Sequence, residues 1–556
     1  MIKFANWGNF GKEGFILCLI SVGAIVHSWN IDNDGWFILN HGRYIIENGF
    51  PHTEPFTVHE NLHFIMEQWA TAVIFWKSYV LFGTFGPLYV VLVVGIAIIL
   101  LYHKIALTVS GNNRHISGFL TFAVFFVTGV MYFVTRPQII STLILLSEIF
   151  FVEKYVASKN KKYLAALPVL SILMINFHAA VWIMLFVLLL PYLAAWLFRK
   201  LKISFEHFPA REFDGLPIFF AAVAMFACGF LNPYGSESMT FVIKSYDVNM
   251  HLLIAEMLPP TLYIFTGKVF FPIMFFTIVV YSRNKLPLEY FLITFGLMFM
   301  TFLASRNLFL FTAIGTFPFA YVLKDWKSKI FSDSRSKEAK IRLAMLFVLA
   351  AAIVAKVFIS PTEVLPTGIK IFFAVMGFFL LCHLFFFRIK NRLFDFNILE
   401  LRVKYEAVTV FVIMLSFFTL FYPKAHDKKF GETFQPAIDF LLEKNNPEGI
   451  VLWTGYTVGS YAEFRGIRCY IDPRMEVFLP ENTQIDRNIM QEYIDLRNGG
   501  IYYKDFFRKN KFTHILVTPA DNFVYKMLPQ DENFKMIYEE KNEQGKVVCR
   551  IFEPVD

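Results

Sequence analysis

The chain has 556 residues, 56% of them hydrophobic and only 17% charged, with 68 phenylalanines and a mean hydropathy of +0.51. Soluble domains carry about 25% charged residues, so the composition excludes an ordinary soluble protein and gives an α-helical polytopic membrane protein. The net charge of +8 is no sign of nucleic-acid binding, because the basic residues cluster in short loops between apolar runs, as cytoplasmic loops do against anionic lipid.

The first apolar run, near 14–30, lacks a small-residue cleavage site and reads as a retained helix, not a signal peptide. Further runs of spanning length lie near 86–106, 116–135, 138–154, 163–178, 180–198, 216–232, 269–282, 287–304, 308–324, 343–360, 368–388 and 406–422, about thirteen spans in all. One alternate set of loops holds Lys104 and Arg114, Lys154 to Lys162, Arg199 to Arg211, Arg283 and Lys285, Lys324 to Arg342 and Arg388 to Lys404. By the positive-inside rule this set is cytoplasmic, with the N-terminus. An odd number of spans then puts the loop 31–85 and the tail 423–556 together on the outer side of a bacterial plasma membrane. The domain division is thus 1–422 for the membrane part and 423–556 for an extracytoplasmic part.

The loop 31–85 opens with six carboxylates, Asp32, Asp34, Glu47, Glu54, Glu60 and Glu67, and a single arginine, Arg43, between Ile31 and Trp69. Asp32 and Asp34 follow the first span directly. A carboxylate there acts either as general base towards a hydroxyl acceptor or as a helix cap. Met66–Leu81 reads as a juxtamembrane helix with Trp69, Ile74, Phe75 and Leu81 in the interface and Lys77 snorkelling outward. Arg136 and Arg306 sit at the outer ends of spans. With Arg43 they make three guanidiniums in one leaflet, suited to a phosphate or diphosphate at head-group depth, or to pairing with nearby acids. His178 and the turn Asn232-Pro233-Tyr234-Gly235 also end spans, and Glu256 lies in the second long outer loop before Pro259 and Pro260. No metal and no cofactor is expected.

The tail changes character. Gln435–Lys444 reads as a helix, Gly449–Trp453, Arg468–Ile471, Thr513–Val517 and Val547–Phe552 as strands, and 455–461 as a turn opening a helix, giving a small α/β domain. It has no GxGxxG or GxxxxGKS signature. Cys469 and Cys549 both fall here and are a possible pair.

Taken in order, Asp32-Asn33-Asp34-Gly35-Trp36 with Gly42, the stretch 49–57, Glu67-Gln68-Trp69, Arg136-Pro137-Gln138, Asn176-Phe177-His178, Asn232 to Gly235, Glu256, Ser305-Arg306-Asn307 and Tyr470-Ile471-Asp472-Pro473-Arg474 resemble the bacterial multi-pass glycosyltransferases of the C-type (GT-C) superfamily. The chain departs from that pattern in having Glu54 for an aspartate and His178-Ala179-Ala180 for His-Gly-Gly. The resemblance implies a GT-C membrane core with two juxtamembrane helices in its first outer loop. It also implies transfer of a sugar from a polyprenyl-phosphate donor to a glycan, lipid or protein acceptor of the cell envelope. Asp34 matches the catalytic acid, with Asp32 or Glu54 assisting. Arg136, Arg306 and Arg43 would bind the lipid phosphate; Trp36, Glu67, His178, Asn232, Tyr234 and Glu256 would line the substrate site. A glycan polymerase or ligase would use the same outer face. A flippase of lipid-linked glycan would need internal repeats and charges near the midplane, and the sequence shows no clear repeat. Neither sugar, acceptor nor oligomeric state is specified by the sequence.

Overall fold

The computed structural model describes residues 31–244, 255–324 and 434–555, apart from 264, 283, 457, 484–486 and 543–544. The spans expected near 14–30, 343–360, 368–388 and 406–422 lie outside the described residues. Two helices, α1 (Asn33–Asn48) and α2 (Trp69–Phe82), precede a series of apolar helices: α3 (Phe85–Val109), α4 (Arg114–Tyr132), α5 (Gln138–Ser158), α6 (Ala166–Phe177), α7 (Ile183–Lys200) and α8 (Leu216–Cys228). They continue with α9 (Ser236–Lys244), α10 (Phe265–Ser282), α11 (Leu288–Leu303), α12 (Leu308–Ala313) and α13 (Phe319–Leu323). Buried side chains such as Ile98, Tyr102, Leu145, Met174, Leu185 and Phe311 join them in one core. Among the described residues, the runs Phe85–Val109 and Ala179–Lys200 are long and apolar enough to cross a membrane, with hydropathies of 2.5 and 2.3. At 1.5 Å per residue the first is about 37 Å long, more than a hydrocarbon core of about 30 Å.

The span expected over 308–324 is not one helix. It breaks between α12 and α13, where Gly315 lies and where Pro318 has no N–H to continue the helical ladder. The juxtamembrane helix forms as expected, but two of its four expected interface residues turn inward. Phe75 is fully buried, and Trp69 Nε1 donates to Asn176 Oδ1 at 2.9 Å. Ile74, Val80, Leu81 and Phe82 form its exposed apolar side.

Helices α1 and α2 cross with their backbones nearly touching. A Cβ on Gly42 would stand 2.1 Å from the Ala72 carbonyl oxygen and 2.6 Å from Trp76 Cβ. Alanine gains up to about 1 kcal/mol of helix propensity over glycine, yet here the obstacle is backbone and cannot rotate aside. Gly42→Ala is therefore expected to destabilise by about 1–3 kcal/mol, as overpacking does, lowering the unfolding temperature of the purified protein; an unchanged midpoint would mean that the helices separate freely.

The C-terminal part is built on a five-stranded sheet in the order β2-β1-β3-β5-β4. Here β1 is Val451–Thr454, β2 Arg468–Cys469, β3 His514–Val517, β4 Phe534–Lys541 and β5 Val547–Pro554. Strands β2 and β3 run parallel to β1, whereas β5 is antiparallel to both β3 and β4. Helices α14 (Gln435–Lys444), α15 (Gly459–Phe464), α16 (Ile489–Asn498), α17 (Tyr503–Lys509) and α18 (Asn522–Met527) complete it. Cys469 on β2 and Cys549 on β5 are both free. With β1 and β3 between them they stand about 14 Å apart at the strand spacing, too far for a disulfide. The outer edge of β2 is taken up by the first loop: Thr57 bridges Cys469 in parallel register, and the Val58 N–H donates to the Cys469 carbonyl at 3.0 Å.

Candidate active site

Of the two roles open to this pair in the sequence, Asp32 takes the helix cap. Asp32 is the N-cap of α1, its Oδ1 accepting the Gly35 N–H at 2.9 Å. Its Oδ2 accepts from Arg136 Nε at 2.7 Å. Asp34, in the first turn of α1, meets Arg136 Nη1 at 2.8 Å. Arg136 reaches them from the turn before α5, where its N–H donates to the Val134 carbonyl at 2.8 Å and Pro137 starts the helix. One guanidinium is thus divided between two carboxylates.

Burial is the largest influence on Asp34, and that division limits how far Arg136 can oppose it. Burial raises its pKa, Arg136 opposes, and the charges of Asp32, Glu256 and Glu476 add to the rise, leaving Asp34 at about 7. An arginine shared with Asp32 does not outweigh desolvation and three neighbouring acids.

A second group of charges lies around the start of α7. Glu67 Oε2 accepts the Ala180 N–H at 3.3 Å, and its carbonyl oxygen accepts the Ala179 N–H at 3.0 Å. Burial raises Glu67 to about 8; the two N–H groups and Arg306 pull the other way, and Glu476 adds to the rise. His178 is buried, with Nδ1 2.7 Å from Ser141 Oγ. Arg306 has no carboxylate within ion-pair distance among the described residues, although its charge is felt at Glu67, His178 and Glu476. Glu256 is exposed, and its loop is tied to Arg306: Ser305 Oγ donates to the Glu256 carbonyl at 3.0 Å and the Ser305 N–H to that of Leu258 at 2.9 Å.

Two groups from the C-terminal part face these residues and escaped the sequence reading. Glu476, which burial lifts to about 6, is sensed by both Asp34 and Glu67. Tyr456, in the loop after β1, is raised by burial and by Asp34 and Glu256. The only sequence sign of Glu476 is its place two residues after Arg474.

Other expected site residues lie elsewhere. Trp36 and Arg43 are seven residues apart on α1 and share a face, while Trp36, two residues beyond Asp34, points about 200° away from it. Asn232 spends its side chain on its own turn, donating to the Gly229 and Gly235 carbonyls at 2.7 and 2.9 Å and accepting the Tyr234 N–H at 2.9 Å. Tyr234 is buried against Phe50 and His52.

Glu54 is sealed into an ion cluster. Its carboxylate accepts the N–H groups of Phe56 and Thr57 at 2.9 and 2.8 Å, the Thr57 hydroxyl at 2.7 Å and Arg474 Nη2 at 2.8 Å. Arg474 also holds Asp472 and lies 3.6 Å from Glu463. Its Nη1 stands 3.3 Å from His41 Nε2. Burial and the Arg474 charge push His41 well below the usual histidine range, so its neutral ring accepts from the guanidinium. Burial and Asp472 push the Glu463 carboxyl well above its usual range, against the pull of Arg474. Phe56 and Phe64 flank the guanidinium, each centroid 5.2 Å away. These residues come from the loop 31–85 and the C-terminal part alike; with every carboxylate oxygen of Glu54 engaged, its geometry is that of a fastener.

No family model and no curated protein matches the chain. Among solved structures it is similar to ArnT from Cupriavidus metallidurans bound to undecaprenyl phosphate, with a TM-score of 0.55 at 12% identity over 98% of each chain. It is also similar to the apo state of the same protein, with a TM-score of 0.53 at 13% identity over 97% of this chain and 98% of that one. At such identity the likeness is one of fold, and it spans the membrane part and the C-terminal sheet together.

Proposed function

We propose, on a chain with the GT-C fold, that this protein transfers a sugar from a polyprenyl-phosphate donor to a hydroxyl of a cell-envelope acceptor at the outer face of a bacterial plasma membrane, with the N-terminus cytoplasmic. The observation that carries the reading is the Asp34–Arg136–Asp32 cluster at the start of α1, where a carboxylate held at about 7 meets the requirement for a general base near neutral pH. That the similar ArnT structure is bound to undecaprenyl phosphate supports the donor class.

Asp34 takes the acceptor hydroxyl proton as that oxygen attacks the anomeric carbon. The bond from that carbon to the phosphate oxygen breaks, and the carrier leaves as a monophosphate. Attack opposite the leaving group inverts the anomeric centre. Arg306, without a carboxylate partner among the described residues, receives the developing phosphate charge. Arg136, engaged by both aspartates, positions and tunes Asp34. Glu67, His178 and Glu256 line the sugar or acceptor side, with Glu476 and Tyr456 contributed by the C-terminal part; Glu54 holds that part in place.

The test is transfer of labelled hexose from a polyprenyl-phosphate hexose to a crude envelope acceptor by membranes holding the protein. Label reaching the acceptor supports the reading, and label crossing the bilayer without transfer favours a flippase. The rate should fall about tenfold per pH unit below about pH 7, because the base must be ionised. Arg136→Gln removes the charge that lowers Asp34, so the acid limb should move to higher pH while the overall rate drops. A limb that stays put or moves down would separate Arg136 from the titrating group.

A further inference from the structure

Away from the carboxylate cluster, a cleft of about 440 Å³ is lined by Trp36, Arg43, Tyr79, Tyr461, Phe464 and Arg465. It lies where α1 and α2 meet α15, so both membrane-side helices and the C-terminal part build it. Arg43 is half-buried, 5.3 Å from the Phe464 ring centroid and 5.8 Å from that of Trp76. Its Nη2 donates to Asn40 Oδ1 at 2.6 Å, and no carboxylate stands within ion-pair distance of it among the described residues. Arg465 at the rim pairs with Asp439 and donates to the Tyr461 hydroxyl at 2.9 Å. Glu47 is near enough for its charge to act on Arg43 but forms no ion pair with it, and a half-buried guanidinium beside aromatic faces, ion-paired with no carboxylate among the described residues, suits an anion.

The surroundings say which anion. Directly after Tyr79, Val80, Leu81 and Phe82 are 63%, 73% and 57% exposed, an apolar lip such as helices show where they lie in an interface. Trp36, Tyr79 and Tyr461 in the lining are of the residue types that form the aromatic belt at a membrane surface. We propose that this cleft binds the phosphate head group of an anionic membrane lipid, Arg43 taking the phosphate and the exposed end of α2 lying along the acyl chains. Arg43 is thereby separated from Arg136 and Arg306, with which it was grouped on sequence, and the cleft is independent of the transfer reaction.

The test is native mass spectrometry of the full-length protein released from detergent in the presence of phosphatidylglycerol or phosphatidylcholine. Wild type should retain phosphatidylglycerol in preference to phosphatidylcholine, and Arg43→Gln should weaken that retention about tenfold, the scale of one lost charge-assisted contact. Because Arg43 packs under Phe464, Arg465→Gln at the rim serves as a second variant, expected to weaken retention in the same direction. Equal retention of both lipids by wild type, or retention by Arg43→Gln equal to wild type, overturns the proposal. Displacement of the lipid by glycerol 1-phosphate at equal concentration overturns the lipid assignment in favour of a soluble phosphate.

Discussion

Asp34→Asn is expected to lower sugar transfer by at least about 10³-fold, within the range for a removed general base, while leaving the protein folded. Asparagine is isosteric, keeps an oxygen for Arg136 Nη1, now 2.8 Å from Asp34 Oδ2, and cannot take a proton from the acceptor. Asp32→Ala should cost less in rate and more in stability, because Asp32 caps α1 through the Gly35 N–H and a cap lost to alanine costs about 1 kcal/mol. Glu60→Gln, an exposed acid of the same loop, should transfer at the wild-type rate. Rates measured side by side in membranes decide it: turnover by Asp34→Asn equal to wild type removes Asp34 as base and transfers the role to Asp32.

The second large effect lies at Arg474. Arg474→Met leaves the fully buried carboxylates of Glu54 and Asp472 without their cation. Breaking a buried pair from one side costs about 3–5 kcal/mol, since the remaining charge stays desolvated. The expected result is a lowered unfolding temperature and a C-terminal part cut by protease at concentrations the wild type resists. Transfer should fall as well, because Glu476 and Tyr456 reach the site from that part. The double variant Arg474→Met with Glu54→Gln removes one stranded charge and should recover part of the loss. A double variant no more stable than the single one would assign the defect to packing against Phe56 and Phe64 instead of charge.

Much of the fold was legible because it rests on local pattern. The helix Gln435–Lys444 was read to the residue, and β1, β3 and β5 announced themselves as apolar runs. Strand β4 did not: Phe534–Lys541 pairs only with β5, at the sheet edge, and carries Lys535, Glu539, Glu540 and Lys541, so it lacks the apolar run of a buried strand. The break before α13 had a sign in Pro318 that hydropathy alone hides. In the candidate site, the charged residues could be named from the sequence, but their pairing could not. Asp34 and Arg136 stand a hundred residues apart, and nothing local distinguishes an acid that meets substrate from one, like Glu54, that meets an arginine of a distant segment. The separation of Trp36 and Arg43 from Asp34 was available in the helical period of α1, had the helix been known to start at Asn33.

The bond from Arg474 to Glu54 joins residues 420 positions apart. At about 5–20 residues per second of synthesis, the loop 31–85 exists for roughly 20 to 80 s before its counterpart is made. Throughout that interval the seat for Arg474, with Glu54, His41, Phe56 and Phe64, stands open, and residues 57–58 have no β2 to pair with. A newly made chain therefore passes through a stage in which its loop is threaded but unsealed. Chaperones or proteases would meet it at that stage, and truncations ending before Arg474 would hold the protein there permanently.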